Sequence, residues 1–125
     1  MKPEELFTGA WVQPKNVKAP FQVCSVDSEL VCDAAESPWC LDEIEPILIT
    51  SEILEKIGFK KDTGGEECWG CKIGWLTPHH YNRKYFPTSW EVQICARNSF
   101  SGVIKYVHQL QAALRVCKIK KEIVL

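Results

Sequence analysis

Apolar positions follow one pattern up to residue 49 and two others beyond it. In the first stretch they come in short clusters: Ala10-Trp11-Val12 ahead of Pro14, Phe21 to Val26 ahead of Asp27-Ser28, Leu30-Val31-Cys32, and Trp39 to Leu41. Aromatic and β-branched residues bounded by proline, aspartate and serine predict short strands, with a hairpin turning at Asp27-Ser28. Short strands joined by brief polar turns suit a small curled sheet or barrel. A helix is then expected over about 50–58. Thr50 is placed to cap it, Ile53, Leu54 and Ile57 form its apolar stripe, and Gly58 ends it.

Beyond Gly58 the period falls to two. Trp69, Cys71, Ile73 and Trp75 alternate with Cys68, Gly70, Lys72 and Gly74, and Trp90, Val92, Ile94 and Ala96 alternate with polar or thiol neighbours. Both runs read as half-buried antiparallel strands, at about 67–75 and 90–97. Asn98 to Gly102 reads as a turn. A second helix follows over about 106–117, with Val107, Leu110, Leu114 and Cys117 on its core side and His108, Gln111 and Arg115 on a polar side. Glu122 to Leu125 reads as a closing strand. The fold class expected is therefore α+β. A small β-barrel-like (SH3-like) part would span 1–49 and an α+β part 50–125, together forming one compact unit.

Composition changes this picture little. The chain has 125 residues, 46% hydrophobic and 25% charged, which is ordinary for a globular domain. No aliphatic run is long enough to cross a bilayer. Met1 to Glu5 lacks the apolar core of a signal peptide, so a soluble, cytoplasmic protein is expected. Charge is more informative. Residues 1–58 hold eleven acids and four bases, whereas 59–125 hold five acids and eleven bases. Such a split either draws the halves together or marks a nucleic-acid face on the basic half.

Seven cysteines raise the question of thiol chemistry. Their odd number argues against a secreted disulfide scaffold, and free cysteine commonly fills cores. Cys68-Trp69-Gly70-Cys71 is the one C-x-x-C, and His79 and His80 follow it. These four are the candidates for a small zinc site. Their spacing is compressed, however, and alternation along a strand sends Cys68 and Cys71 to opposite faces. Gly64-Gly65 precedes Glu66-Glu67, whose charge would repel a phosphate. No cofactor is expected, and no catalytic constellation stands out.

The segment from Leu76 to Ser89 differs from both flanks. It carries Pro78, Pro87, His79, His80, Tyr81, Arg83, Lys84, Tyr85 and Phe86 between two expected strands. Because proline cannot donate to a ladder, the chain is expected to leave the sheet there. Long loops in compact domains are commonly functional, and aromatics with arginine are enriched in binding hot spots. His79, His80, Tyr81, Arg83, Lys84, Tyr85 and Phe86 are thus the candidate binding residues. The alternative is a hairpin extension folded back on the sheet.

Two stretches carry a resemblance. Asp42 to Thr50 leading into Ser51 to Phe59, with Lys105-Tyr106-Val107-His108-Gln109-Leu110-Gln111, Leu114 and Lys121 to Leu125, resembles small uncharacterised proteins encoded by prophages and mobile elements of gut anaerobes. Gly9 to Val12 fits the same group. The resemblance implies a phage-associated accessory protein and transfers no activity. The combined expectation is a non-enzymatic protein-interaction module. It would use the 76–89 loop or an exposed sheet edge, with homodimer formation open. The alternative is a nucleic-acid-binding accessory protein using Arg83, Lys84, Lys60 and Lys61.

Overall fold

The computed structural model describes residues 5–27, 29–61, 69–71, 74–78, 89–94, 100–117, 119 and 123–125. The fold is α+β, with two α-helices accompanying three antiparallel sheets among the described residues. The chain divides into two compact units, Met1–Ile47 and Leu48–Leu125.

The first unit contains β1 (Trp11–Pro14), β2 (Phe21–Gln22), β3 (Ser25–Val26), β4 (Leu30–Cys32), β5 (Pro38–Cys40) and β6 (Ile44–Pro46). They form two three-stranded sheets, in the orders β2-β1-β6 and β3-β4-β5, rather than a closed barrel. The run from Phe21 to Val26, expected as one strand, contributes to both sheets. Val23 is the point of transfer. It is buried, its N–H donates to the Ala10 carbonyl at 2.8 Å, and its carbonyl accepts from Gly9 N at 2.7 Å. A core of Leu6, Ala10, Val12, Val23, Val31 and Ile44 holds this unit, with Phe21 and Trp39 stacked beside it.

Polar bonds shape the β4–β5 turn. The Asp33 carboxylate accepts from the backbone N–H of Ala35 (2.9 Å) and Ser37 (3.0 Å) and from the Trp39 indole (3.2 Å). The indole bond first, then the two backbone bonds, hold Asp33 below the usual carboxylate range. After β5 a short 3₁₀ turn, Leu41–Glu43, carries the chain into β6.

In the second unit α1 (Ser51–Lys56) is capped as its sequence predicts, Ile53 N–H donating to Thr50 Oγ1 at 3.3 Å. It ends earlier than residue 58 because Ile57 leaves helical geometry and Gly58 takes φ +100°. Five strands follow: β7 (Lys60–Lys61), β8 (Trp69–Cys71), β9 (Gly74–Pro78), β10 (Trp90–Ile94) and β11 (Phe100–Ile104). They are ordered β11-β10-β9-β8-β7, antiparallel throughout.

Three expectations are corrected here. The single strand over 67–75 is two strands, with Cys71 opposite Gly74. Gly74 explains why β9 starts there. A Cβ on it would lie 2.1 Å from the Gln93 carbonyl oxygen, so only glycine permits this approach to β10. Next, β9 continues through Pro78, which is its last residue and opposite Trp90. A terminal proline removes one donor without breaking the ladder before it. Finally, Phe100, Ser101 and Gly102 are strand residues of β11, not a turn.

The α2 helix (Val107–Val116) packs against β11, and α1 packs against β7. Val107, Leu110, Leu114 and Cys117 are buried as the periodicity predicts. Gln109 reaches back to the start of α2, where its Oε1 accepts from Lys105 N (2.7 Å) and Tyr106 N (3.1 Å). His108, expected on the polar side, is 4% exposed and stacks on the Tyr106 ring at 5.7 Å. Burial of its ring against Tyr106 depends on the fold around it, which a residue-type pattern does not register. The closing strand is not found: among the described residues 123–125 form none, although Ile123 is buried.

Candidate functional site

The register of the five strands sorts the sheet into two faces. Residues directly opposite in an antiparallel pair share a face, and neighbours along a strand alternate. Trp69, Leu76 and Val92 occupy one row of the inner face, with Trp90 and Ile104 in the next, and all five are buried. The Trp90 indole donates to the Ile49 carbonyl at 3.1 Å, which satisfies its one polar atom inside the core.

The outer face is different. One row across all five strands reads Lys60, Gly70, Trp75, Gln93 and Ser101, and the adjoining row reads Thr77, Glu91 and Val103. Trp75 is 40% exposed at the middle of this face and Val103 is 50% exposed near one edge. Gly70 places no side chain beside the indole, and a Cβ there would meet nothing closer than 3.8 Å. Gln93 lies directly opposite Trp75, Thr77 follows two residues along its own strand, Glu91 lies diagonally across on β10, and Ser101 lies beyond Gln93. The described charges are one lysine and one glutamate. An aromatic centre depleted in charge and rimmed by polar groups is the composition of a protein-binding patch.

Nucleic-acid interfaces are far more cationic, since phosphate contacts supply most of the affinity. Lys60 and Lys61 are both exposed on β7, at one border of the sheet. The unit as a whole has twelve bases against seven acids, and among the described residues the outer rows carry one of those bases, Lys60.

The candidate loop residues His79, His80, Tyr81, Arg83, Lys84, Tyr85 and Phe86 lie outside the described residues. So does Cys68 of the C-x-x-C, while Cys71 is the last residue of β8. Strand positions narrow the expected loop. Leu76, Thr77 and Pro78 belong to β9, Leu76 is fully buried, and Ser89 is buried just before β10. Among the described residues no group of three or more histidine, cysteine or acidic side chains is placed to hold a metal ion. None of their helices is long and apolar enough to cross a membrane.

Four thiols are described. Cys117 is buried at the end of α2, as core filler should be, whereas Cys24 and Cys40 are exposed and Cys32 is half-buried. Cys40 is hydrogen-bonded to its neighbour Glu43. Its thiol donates to the Glu43 carboxylate, and that bond, with the nearby negative charge, holds it above the ordinary thiol range. Glu43 is shifted down in turn, first by the Cys40 backbone N–H at 2.9 Å and then by the thiol.

Sequence reasoning missed the outer face. A continuous strand would put Trp75 on the same face as Trp69, whereas the pairing of β8 with β9 puts it on the face of Gly70. Gly74 was the available signal, since an isolated glycine in an alternating run marks a bulge or a close backbone approach. Compared with protein-family models, with curated proteins and with solved structures, the chain matches none.

Proposed function

We propose that this protein is a non-enzymatic interaction module that works in the cytoplasm and binds a protein partner on the outer face of its five-stranded sheet. The observation that carries this reading is the half-open Trp75, flanked by Gly70 and Gln93 on a face whose described residues carry little charge. The 79–88 segment joins β9 to β10, the two strands bearing Trp75 and Gln93, and its aromatic and basic side chains belong to the same proposal. A prophage or mobile-element setting, carried by the resemblance alone, makes the module an accessory protein.

Capture from a nuclease-treated lysate tests this reading, with wild type compared against Trp75→Ala and Gly70→Arg. The expected result is a protein retained by wild type and lost by both variants. Gly70→Arg is informative because its backbone has room for a side chain, which would then crowd the indole. A partner that disappears on nuclease treatment would establish the nucleic-acid alternative instead. A partner indifferent to both substitutions would place binding elsewhere.

A further inference from the structure

The two edges of the five-stranded sheet differ in the properties that govern strand pairing. One edge, β7, is two residues long, and both are exposed lysines. The other, β11, is five residues long (Phe100-Ser101-Gly102-Val103-Ile104), without charge or proline. Among the described residues β11 pairs on one side only, with β10. Natural sheets keep their edges from pairing with short strands, lysines and prolines. β7 uses two of these devices and β11 uses none. Just beyond β11 the backbone is already engaged, Ile49 N–H donating to the Lys105 carbonyl at 2.9 Å and Leu48 bridging Tyr106. The stretch offered for pairing is therefore the strand itself.

We propose that β11 pairs antiparallel with β11 of a second copy of this chain, continuing the sheet across a two-fold axis. Parity constrains the register. Opposed residues share a face, so a continuous sheet with both outer faces on one side must match outer positions with outer positions. The register that pairs all five residues sets Gly102 against Gly102 of the second copy and Ser101 against its Val103. No like charges meet across this axis, whereas the same operation at β7 would set lysine against lysine. An isologous contact of this kind closes after two copies. Pairing five residues buries far less than the roughly 1,200 Å² of a stable interface, so the association is weak and concentration-dependent. It also enlarges the outer face, bringing Val103 of the second copy beside Ser101.

Sedimentation equilibrium of the full chain under reducing conditions, from about 1 μM to 1 mM to span weak dissociation constants, tests the proposal. Wild type should pass from monomer to dimer across that range. Ser101→Lys/Val103→Lys places two directly opposed lysine pairs across the axis and should leave monomer throughout. Ser101→Glu/Val103→Lys places glutamate against lysine twice and should restore the dimer. Both double variants change outer, exposed positions, and their unfolding midpoints at low concentration report whether they fold. Amide exchange supplies a second readout that needs no variant, since protection of β11 should rise with concentration. Monomer at every concentration overturns the proposal, as does a dimer indifferent to both variants or one without protection at β11. Failure here leaves the outer-face reading to be judged by Trp75→Ala capture.

Discussion

The five-stranded sheet carries two tryptophans on adjacent strands with opposite fates. Trp90 in β10 is 1% exposed and its indole N–H is bonded to a main-chain carbonyl inside the core. Trp75 in β9 is on the other face, opposite Gln93 and beside a glycine, with much of its ring in water. The inner face shows what holds the unit together: large buried apolar side chains from every long strand, with Leu110 and Leu114 buried on α2, which packs against β11. The outer face shows a surface whose residue types stabilise the sheet only through cross-strand pairs. A large aromatic contributes most when desolvated, so a half-open one holds the sheet less than a buried one does, and the binding role proposed for it is a separate matter from stability.

Substitutions on the two faces should therefore separate cleanly in chemical unfolding. Trp90→Ala removes both buried area and the Ile49 hydrogen bond, and should cost about 3–5 kcal/mol. Leu110→Ala, on the buried side of α2, should cost about 2–5 kcal/mol. A smaller value would mean that this side of α2 is not part of the core. Gly74→Ala should cost about 1–3 kcal/mol as an overpacking change, because the added methyl meets the Gln93 backbone. A neutral result would remove the reason given for where β9 begins. Thr50→Ala deletes the one side-chain cap of α1 and should cost about 1 kcal/mol, with Thr50→Ser restoring most of it.

The first unit offers a pH-dependent contrast, since its polar turn has no counterpart on the outer face. Asp33 is held below the usual carboxylate range by bonds that exist only in the folded state. Its contribution is present above the unfolded carboxylate pKa and is lost as pH falls toward the folded value. The unfolding free energy measured across an acid titration should show this loss, and Asp33→Asn should abolish it.

Helices and core were legible in the sequence because capping and 3.6-residue periodicity are local signals. Thr50 capping Ile53, and Val107, Leu110 and Leu114 on one buried side, follow from spacing alone. The strand boundaries were not legible. Alternation from Trp69 to Trp75 is the same whether the chain runs straight or reverses, and only the contact between Gly74 and Gln93 decides. The same ambiguity hid the transfer at Val23 and placed Trp75 on the wrong face. His108 was misread because residue type was taken as a guide to exposure. The candidate loop drew attention through composition, whereas the exposed row beside it depends on register, a non-local property.

The separation of the two faces is most directly tested by the unfolding free energy of Trp75→Ala measured beside that of Trp90→Ala. Cross-strand contacts on a solvated face are worth about 0.2–1 kcal/mol. Trp75→Ala should therefore lose about 1 kcal/mol or less while Trp90→Ala loses several times more. Equal losses would show that Trp75 belongs to a core, and would contradict the assignment of the outer face to binding.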